Sequence, residues 1–274
     1  MAVNKAKNCI FPVWQPIGVS TNRLSQIVGE HFGVVSSHTG TLDPMAQGVV
    51  IILLGDEHVN KYDYAKWKKT YEFEILFGIS TASYDGMGYI TKNQKIRVDE
   101  AALEAIPALF KGDYTQKVPP YSAVKYKGKK LFEHAKLNSL PRELPEKKGK
   151  IFELSFLGYR EIRTEELVED ILSRIKKVKG DFCQQELIVQ WQHFLAKLDK
   201  KRTSGLAKFS VTMSKGMYVR SLSQDICSKL LVNGLTYTIK RVKNGIYGEK
   251  ECAKTADLFG SETNFYDLIS GIKP

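Results

Sequence analysis

Apolar residues recur at helical spacing through Leu24, Ile27, Val28 and Phe32, after a serine (Ser20) suited to capping a helix and before a glycine (Gly33) suited to ending one. The unbroken run Val49 to Leu54 reads as a buried strand, and the partial alternation of Tyr71 to Phe77 as a half-buried one. Asp99 is placed to cap a short helix through Ala101, Leu103 and Ile106, which Pro107 should perturb or end. Ile151 to Leu157 reads as a further strand. Ala207, Phe209, Val211 and Met213 alternate with Lys208, Ser210 and Thr212 in the clearest strand pattern of the chain, followed by a helix carrying Leu222, Ile226, Leu230 and Leu231. Between these, Val168, Ile171, Leu172 and Ile175 share one helical face, and Leu187, Trp191, Phe194, Leu195 and Leu198 another, so 165–200 reads as a helical hairpin. Strands and helices are interspersed without a βαβ rhythm or a GxGxxG loop. A dinucleotide fold is disfavoured, and the pattern predicts an α+β chain with a mixed or antiparallel sheet and peripheral helices.

Composition narrows the partners. With 274 residues and 43% hydrophobic content, the chain is long and apolar enough to build a packed core. A net charge of +11 points to a polyanion, nucleic acid before an anionic membrane surface. No apolar run approaches the roughly 18 residues that span a bilayer, and Met1 to Cys9 carries lysines without a following signal-like segment, so a cytoplasmic protein is expected. Cys9, Cys183, Cys227 and Cys252 are scattered, with no CxxC pair and no histidine at zinc-ligand spacing; reduced thiols and no metal are expected. Gln116 to Lys130 joins Pro119-Pro120 to two tyrosines and several lysines. It reads as an exposed, stiff basic loop, either an RNA contact by phosphate pairing and base stacking or an ordinary solvated surface.

One stretch gathers chemistry. Ser37 to Gly48 packs His38, two threonines, two glycines and one carboxylate into twelve positions just before the buried Val49 to Leu54 run. Pro44 biases Asp43 toward an extended backbone and glycine frees the loop around it, a plausible way to present one reactive group. On these residues alone, Asp43-Pro44 reads first as an ordinary turn and Thr41 or Asp43 as a helix cap, ahead of the reactive reading.

Taken in order, His-Thr-Gly-Thr-Leu-Asp-Pro at 38 to 44 with Gly48, Tyr71, Val-Pro-Pro-Tyr-Ser-Ala-Val-Lys at 118 to 125, Ser-Lys-Gly-Met-Tyr-Val-Arg at 214 to 220 and Ile-Lys-Arg at 239 to 241 with Gly245 resemble the TruB-type tRNA pseudouridine synthases, from about Pro16 to about Tyr247. The resemblance implies a mixed, mainly antiparallel sheet flanked by helices and loops, with a central catalytic cleft. It implies Asp43 as the catalytic carboxylate, Arg220 as its ion-pair partner and Tyr71 stacked on the target uracil. His38 would hold or extrude the nucleotide, Tyr218 and Ile239 would line the pocket, and Lys125, Lys215 and Arg241 would contact RNA. The reaction implied is isomerisation of a T-loop uridine of tRNA, expected at position 55, by a monomer without metal or cofactor. The chemistry is consistent: moving uracil from an N1 to a C5 glycosidic bond needs one nucleophile or stabiliser beside the sugar, and a base taken out of its stack and held.

Departures from the family pattern set further expectations. Gln15-Pro16 stands where a Lys-Pro pair is common, and Ile239 where Leu is common. A single catalytic domain over 1–274 is expected, with no C-terminal PUA domain, since only Gly248 to Pro274 follow Tyr247. The 165–200 hairpin reads as an insertion. It is either an RNA contact through Arg174, Lys176, Lys177, Lys179 and Lys197, or a surface elaboration or protein contact through Trp191 and Phe194.

Overall fold

The computed structural model describes residues 8–198 and 202–260. The expectations for the N-terminal lysines, Lys200 and most of the segment after Phe259 lie outside these residues, as does the Leu195 side chain. Contacts group the chain into two compact units, one comprising the described residues within Met1–Tyr71, Lys176–Asp181 and Lys240–Pro274, the other Glu72–Ile175 and Phe182–Ile239.

In the first unit the strand Ala46–Leu54 is central. Every residue from Val49 to Leu54 is fully buried, which is why the run shows no alternation. The strand Cys9–Gln15 pairs antiparallel with it, from Cys9 opposite Leu54 to Gln15 opposite Gly48, and the short strand Ser36–His38 also pairs with it, Ser36 opposite Leu54. The helix Thr21–Phe32 buries Leu24, Ile27 and Val28 and ends at Gly33 in the left-handed conformation, as its spacing predicts; Ser20 holds the N-cap position without a side-chain capping bond.

The second unit is a run of antiparallel pairings. The strand Thr203–Met213 lies beside Glu146–Arg163, with Ile151 opposite Met213 and Arg163 opposite Thr203, and Glu146–Arg163 pairs on its other edge with Gly112–Lys117. The alternation of Ala207, Phe209, Val211 and Met213 is reproduced as a buried face. Asp99 caps the helix Glu100–Ala105 by accepting from the Ala101 N–H, and Pro107 falls in the tighter 3-10 turn Ile106–Leu109 that closes it.

Several expectations are corrected. The Glu146–Arg163 strand begins five residues before the apolar signal at Ile151, because Glu146 to Lys150 are held by backbone pairing to Gly112–Lys117 and keep their lysines in solvent. The basic segment from Gln116 is not exposed throughout: Gln116, Val118, Pro119, Pro120 and Ser122 are buried, while Lys117 and the lysines around the two-residue hairpin Lys125–Tyr126 and Lys129–Lys130 are exposed. Leu231 leaves the helical face; the helix Val219–Lys229 has ended, and Leu231 is 93% exposed at a φ of 55°.

The hairpin is two helices, Thr164–Lys177 and Gln184–Ala196. Its apolar faces are packed, with Leu167, Val168, Ile171 and Ile175 buried and Trp191 0% exposed, its indole N–H donating to the Gly86 carbonyl. Trp191 is therefore a core residue and not a free docking ring. Arg174 is no solvent-facing cation either: it is buried, pairs with Asp170, donates to the Tyr237 carbonyl and lies 4.4 Å from the centre of the Tyr237 ring.

Gly48 carries the sharpest packing constraint. Its φ is +130°, and a Cβ there would stand 2.3 Å from the Arg241 carbonyl oxygen. Gly48→Ala is expected to destabilise the protein by about 2–4 kcal/mol, combining backbone strain with a clash against immovable main chain. Urea unfolding of the two proteins measures this directly; equal midpoints would mean that the strand moves freely at this point.

Candidate active site

The Ser37 to Gly48 loop is held from several sides within the first unit. At its start the Thr39 N–H donates to Ile51 O at 3.1 Å, and Asn244 donates to the Thr39 hydroxyl at 3.3 Å. Midway, the Leu42 N–H donates to the Thr21 hydroxyl at 3.0 Å. That hydroxyl in turn donates to Gln15 Oε1 at 2.7 Å, and the Gln15 amide donates to Val19 O at 2.8 Å. Asp43 and Pro44 are fixed through their carbonyls, which accept from the Ala46 and Gly18 N–H groups at 2.9 Å each. The backbone that carries the Asp43 carboxylate is thus tied before, at and after that residue.

Arg241 anchors both ends of the loop. Its guanidinium is buried and donates through Nε to Val49 O at 2.6 Å and through Nη2 to Gly40 O at 3.1 Å. A buried guanidinium is costly unless its donors are met, so the two carbonyls and the cation hold one another in place. Arg241, expected among the RNA contacts, is corrected by this geometry: its charge is turned inward. Gln15 likewise belongs to the frame of the loop, where a neutral amide suits a fully buried position.

His38 closes the short strand Ser36–His38. Its Nε2 lies 2.7 Å from Asn22 Oδ1, an arrangement in which Nε2 carries the proton. Burial first, then the nearby charges of Arg241 and Lys61, lower its pKa below the ordinary 6.5, so the ring is neutral at pH 7. Tyr71 is half-buried in the strand Lys69–Phe77, two residues after a buried Lys69 whose ammonium donates to Ala65 O and Trp67 O.

In the second unit, Arg220 sits in the first turn of the helix Val219–Lys229 and is 3% exposed. It donates to Ser83 O at 2.9 Å and Tyr121 O at 3.1 Å, and its Nε lies 3.6 Å from Asp85 Oδ2. Asp85 is itself fixed, its Oδ1 accepting from the Ser83 hydroxyl at 2.6 Å and from the Met87 N–H at 2.9 Å. Tyr218 is tied to Gln116 by a reciprocal pair, its N–H donating to Oε1 at 2.6 Å and its carbonyl accepting from Nε2 at 3.1 Å. Further along the same helix Asp225 is bonded to the Tyr114 hydroxyl, and burial raises the carboxyl above its ordinary pKa. Ile239 is buried, whereas Lys125 and Lys215 are exposed and available to a polyanion.

Sequence reasoning missed Asp85, Gln15, Thr21 and Asn22. Asp85 had one signal, an acidic residue before Gly86 in the turn-rich Ser80 to Gly88 segment; the others acquire their roles through contacts distant in sequence. Among the described residues no group of three or more His, Cys, Asp or Glu side chains is arranged to hold a metal, and the four cysteines form no disulfide.

Comparison with known proteins matches residues 35–181, more than half of the chain, to the TruB family pseudouridylate synthase N-terminal domain. Relatives called tRNA pseudouridine synthase B include one from Caldicellulosiruptor saccharolyticus, 27% identical over 89% of this chain and 69% of its own, and one from Malacoplasma penetrans, 28% identical over 88% and 87%. A chain in the crystal structure of a Cbf5–Nop10–Gar1 complex superposes with a TM-score of 0.57 at 15% identity, covering 96% of this chain, which spans 59% of that one. A chain of the archaeal box H/ACA sRNP Nop10–Cbf5 complex gives 0.55 at the same identity. At that identity the likeness establishes the shared α+β fold.

The Arg220–Asp85 pair yields a test. Asp85→Asn removes one carboxylate from beside the buried Arg220 guanidinium and is expected to cost on the order of 1–3 kcal/mol in stability. Chemical denaturation reads this out, and a change under about 0.5 kcal/mol would mean that the Asp85 charge is not needed to hold Arg220.

Proposed function

Because the chain belongs to the TruB family of pseudouridylate synthases, we propose that it isomerises a uridine in the T-arm loop of tRNA to pseudouridine, expected at position 55, with Asp43 as the catalytic carboxylate. The observation that carries this reading is the loop itself: Asp43 lies in the family-matched segment on a backbone tied at Leu42, Asp43 and Pro44 and bracketed by the two Arg241 bonds. A reactive group held this way needs little reorganisation when the substrate arrives.

In this proposal Asp43 acts beside C1′ and the uracil of the extruded nucleotide. The N1 to C1′ bond breaks, the base turns within the pocket, and C5 bonds to C1′; the C5 proton is lost and N1 gains one, so the product is an isomer of the substrate. Arg220 pairs with the Asp43 carboxylate in the working enzyme, and its own setting against Ser83, Tyr121 and Asp85 fixes its direction. Tyr71 stacks on the uracil while Tyr218 and Ile239 line its pocket. His38, neutral at pH 7, enters the RNA as a packing and hydrogen-bonding ring. Lys125 and Lys215 take phosphates. The reading includes action as a monomer in the cytoplasm without metal or cofactor; among the described residues no helix is long and apolar enough to cross a membrane.

The test is incubation of the purified protein with unmodified tRNA, followed by mapping of pseudouridine at each position. Formation at the T-loop uridine alone is expected, with affinity falling steeply between 50 and 200 mM salt. RNA binding without any pseudouridine would instead support an RNA chaperone on the same scaffold, and modification confined to other hairpins would reassign the substrate.

A further inference from the structure

The turn that joins the two helices of the hairpin reaches the frame of the Asp43 loop. Residues Lys176–Asp181 group with the first unit, and the Lys179 N–H donates to Gly18 O at 3.0 Å. Gly18 is also the residue whose own N–H donates to Pro44 O at 2.9 Å. One bond of Gly18 thus goes to the loop and the other to the turn.

The contact is close as well as polar. Gly18 has a φ of +87°, and a Cβ there would stand 2.1 Å from the Lys177 carbonyl oxygen and 2.9 Å from the Val178 nitrogen. Val178 is buried, while Lys176, Lys177 and Lys179 around it are exposed. The turn therefore meets Gly18 through its main chain, and its lysines take no part in that contact.

This matters because Gly18 is the softest point of the frame. The segment from Gln15 to Thr21 bonds the loop on both sides of Asp43, at Leu42 through the Thr21 hydroxyl and at Pro44 through the Gly18 N–H. Thr21 and Val19 are each tied to the Gln15 side chain. A glycine has the widest choice of backbone conformations, so left to itself it would sample others at little cost and loosen the Pro44 bond as it did. The Lys179 bond and the Lys177-Val178 main chain remove that choice.

We infer that Lys177-Val178-Lys179 is a positioning element of the catalytic loop, which holds Gly18 from behind and through it the Pro44 carbonyl next to Asp43. The inference rests on the proposed reaction, in which Asp43 is the reactive group. Lys179 acts through its main-chain N–H and touches no substrate. The hairpin thereby gains a role in the rate of the reaction, beside the two readings its sequence allows.

The test replaces Lys179 by its α-hydroxy analogue, which turns the donating N–H into an ester oxygen and keeps every side chain. Single-turnover conversion of saturating T-arm stem-loop RNA should slow about tenfold, with the dissociation constant within about twofold of wild type. Amide hydrogen exchange supplies a reading that needs no activity. The Gly18, Leu42 and Ala46 amides should exchange about tenfold faster in the variant, and those of Val50 to Leu54 at the wild-type rate. Loop amides that exchange as in wild type overturn the inference, and so does an unchanged single-turnover rate. Faster exchange throughout the protein also overturns it, since the bond would then support only overall stability, and a loss confined to affinity would make the turn an RNA contact instead. Absence of pseudouridine with the wild-type protein rejects the enzymatic reading, while the exchange rates still decide whether the turn positions the loop.

Discussion

A buried guanidinium governs the first unit. Arg241 is 1% exposed and spends its donors on Val49 O, at the start of the most buried strand, and on Gly40 O, inside the loop that carries Asp43. Because leaving those donors unmet would cost several kcal/mol, the positions of strand, loop and guanidinium are mutually determined. Gly48 follows from this arrangement, since the main chain of Arg241 leaves no room for a Cβ there. The Gln15–Thr21–Leu42 relay adds a second brace from the N-terminal strand and helix. The path of the Asp43 backbone is thus a product of main-chain anchoring.

The second unit solves a parallel problem for a different cation. Arg220 is kept buried by two carbonyls and Asp85, and Asp85 is kept in place by a turn whose Tyr84 adopts a φ of 68° and whose Tyr84 carbonyl accepts from the Thr236 N–H. A non-glycine residue in that conformation costs free energy, and here it aims the next residue's carboxylate. The Thr164–Lys177 helix serves a similar end. Its Asp170 and Arg174 grip Tyr237 in the strand Gly234–Asn244, two residues before Ile239, so part of a segment read as either an RNA contact or a surface elaboration packs against the strand that carries Ile239.

What could be read from sequence, and what could not, divides on locality. The Thr21–Phe32 helix, the Ala46–Leu54 strand and the Thr203–Met213 strand announce themselves because each buries a face whose period is written in adjacent residues. The ordered motifs around Asp43 and Tyr71 were legible as a family resemblance, and the family match at 35–181 spans both positions. Arg241 was misread, because a basic residue in a basic segment carries no local mark of burial, and the carbonyls that bury it are about two hundred residues away. Glu146 to Lys150 hid their strand for a related reason: backbone pairing needs no apolar side chains. The Val118-Pro119-Pro120 segment, read as exposed, is buried, with exposed lysines both before and after it.

In the proposed reaction one carboxylate, on a backbone prepared in advance, does the chemistry while the rest of the surface binds RNA. Single-turnover conversion of T-arm RNA by Asp43→Asn, alongside its dissociation constant, tests this most directly. A loss of at least about 10³-fold in rate is expected, with affinity within a few-fold of wild type. Isomerisation by Asp43→Asn at a rate near that of wild type would contradict it and send the search for the catalytic group elsewhere in the site.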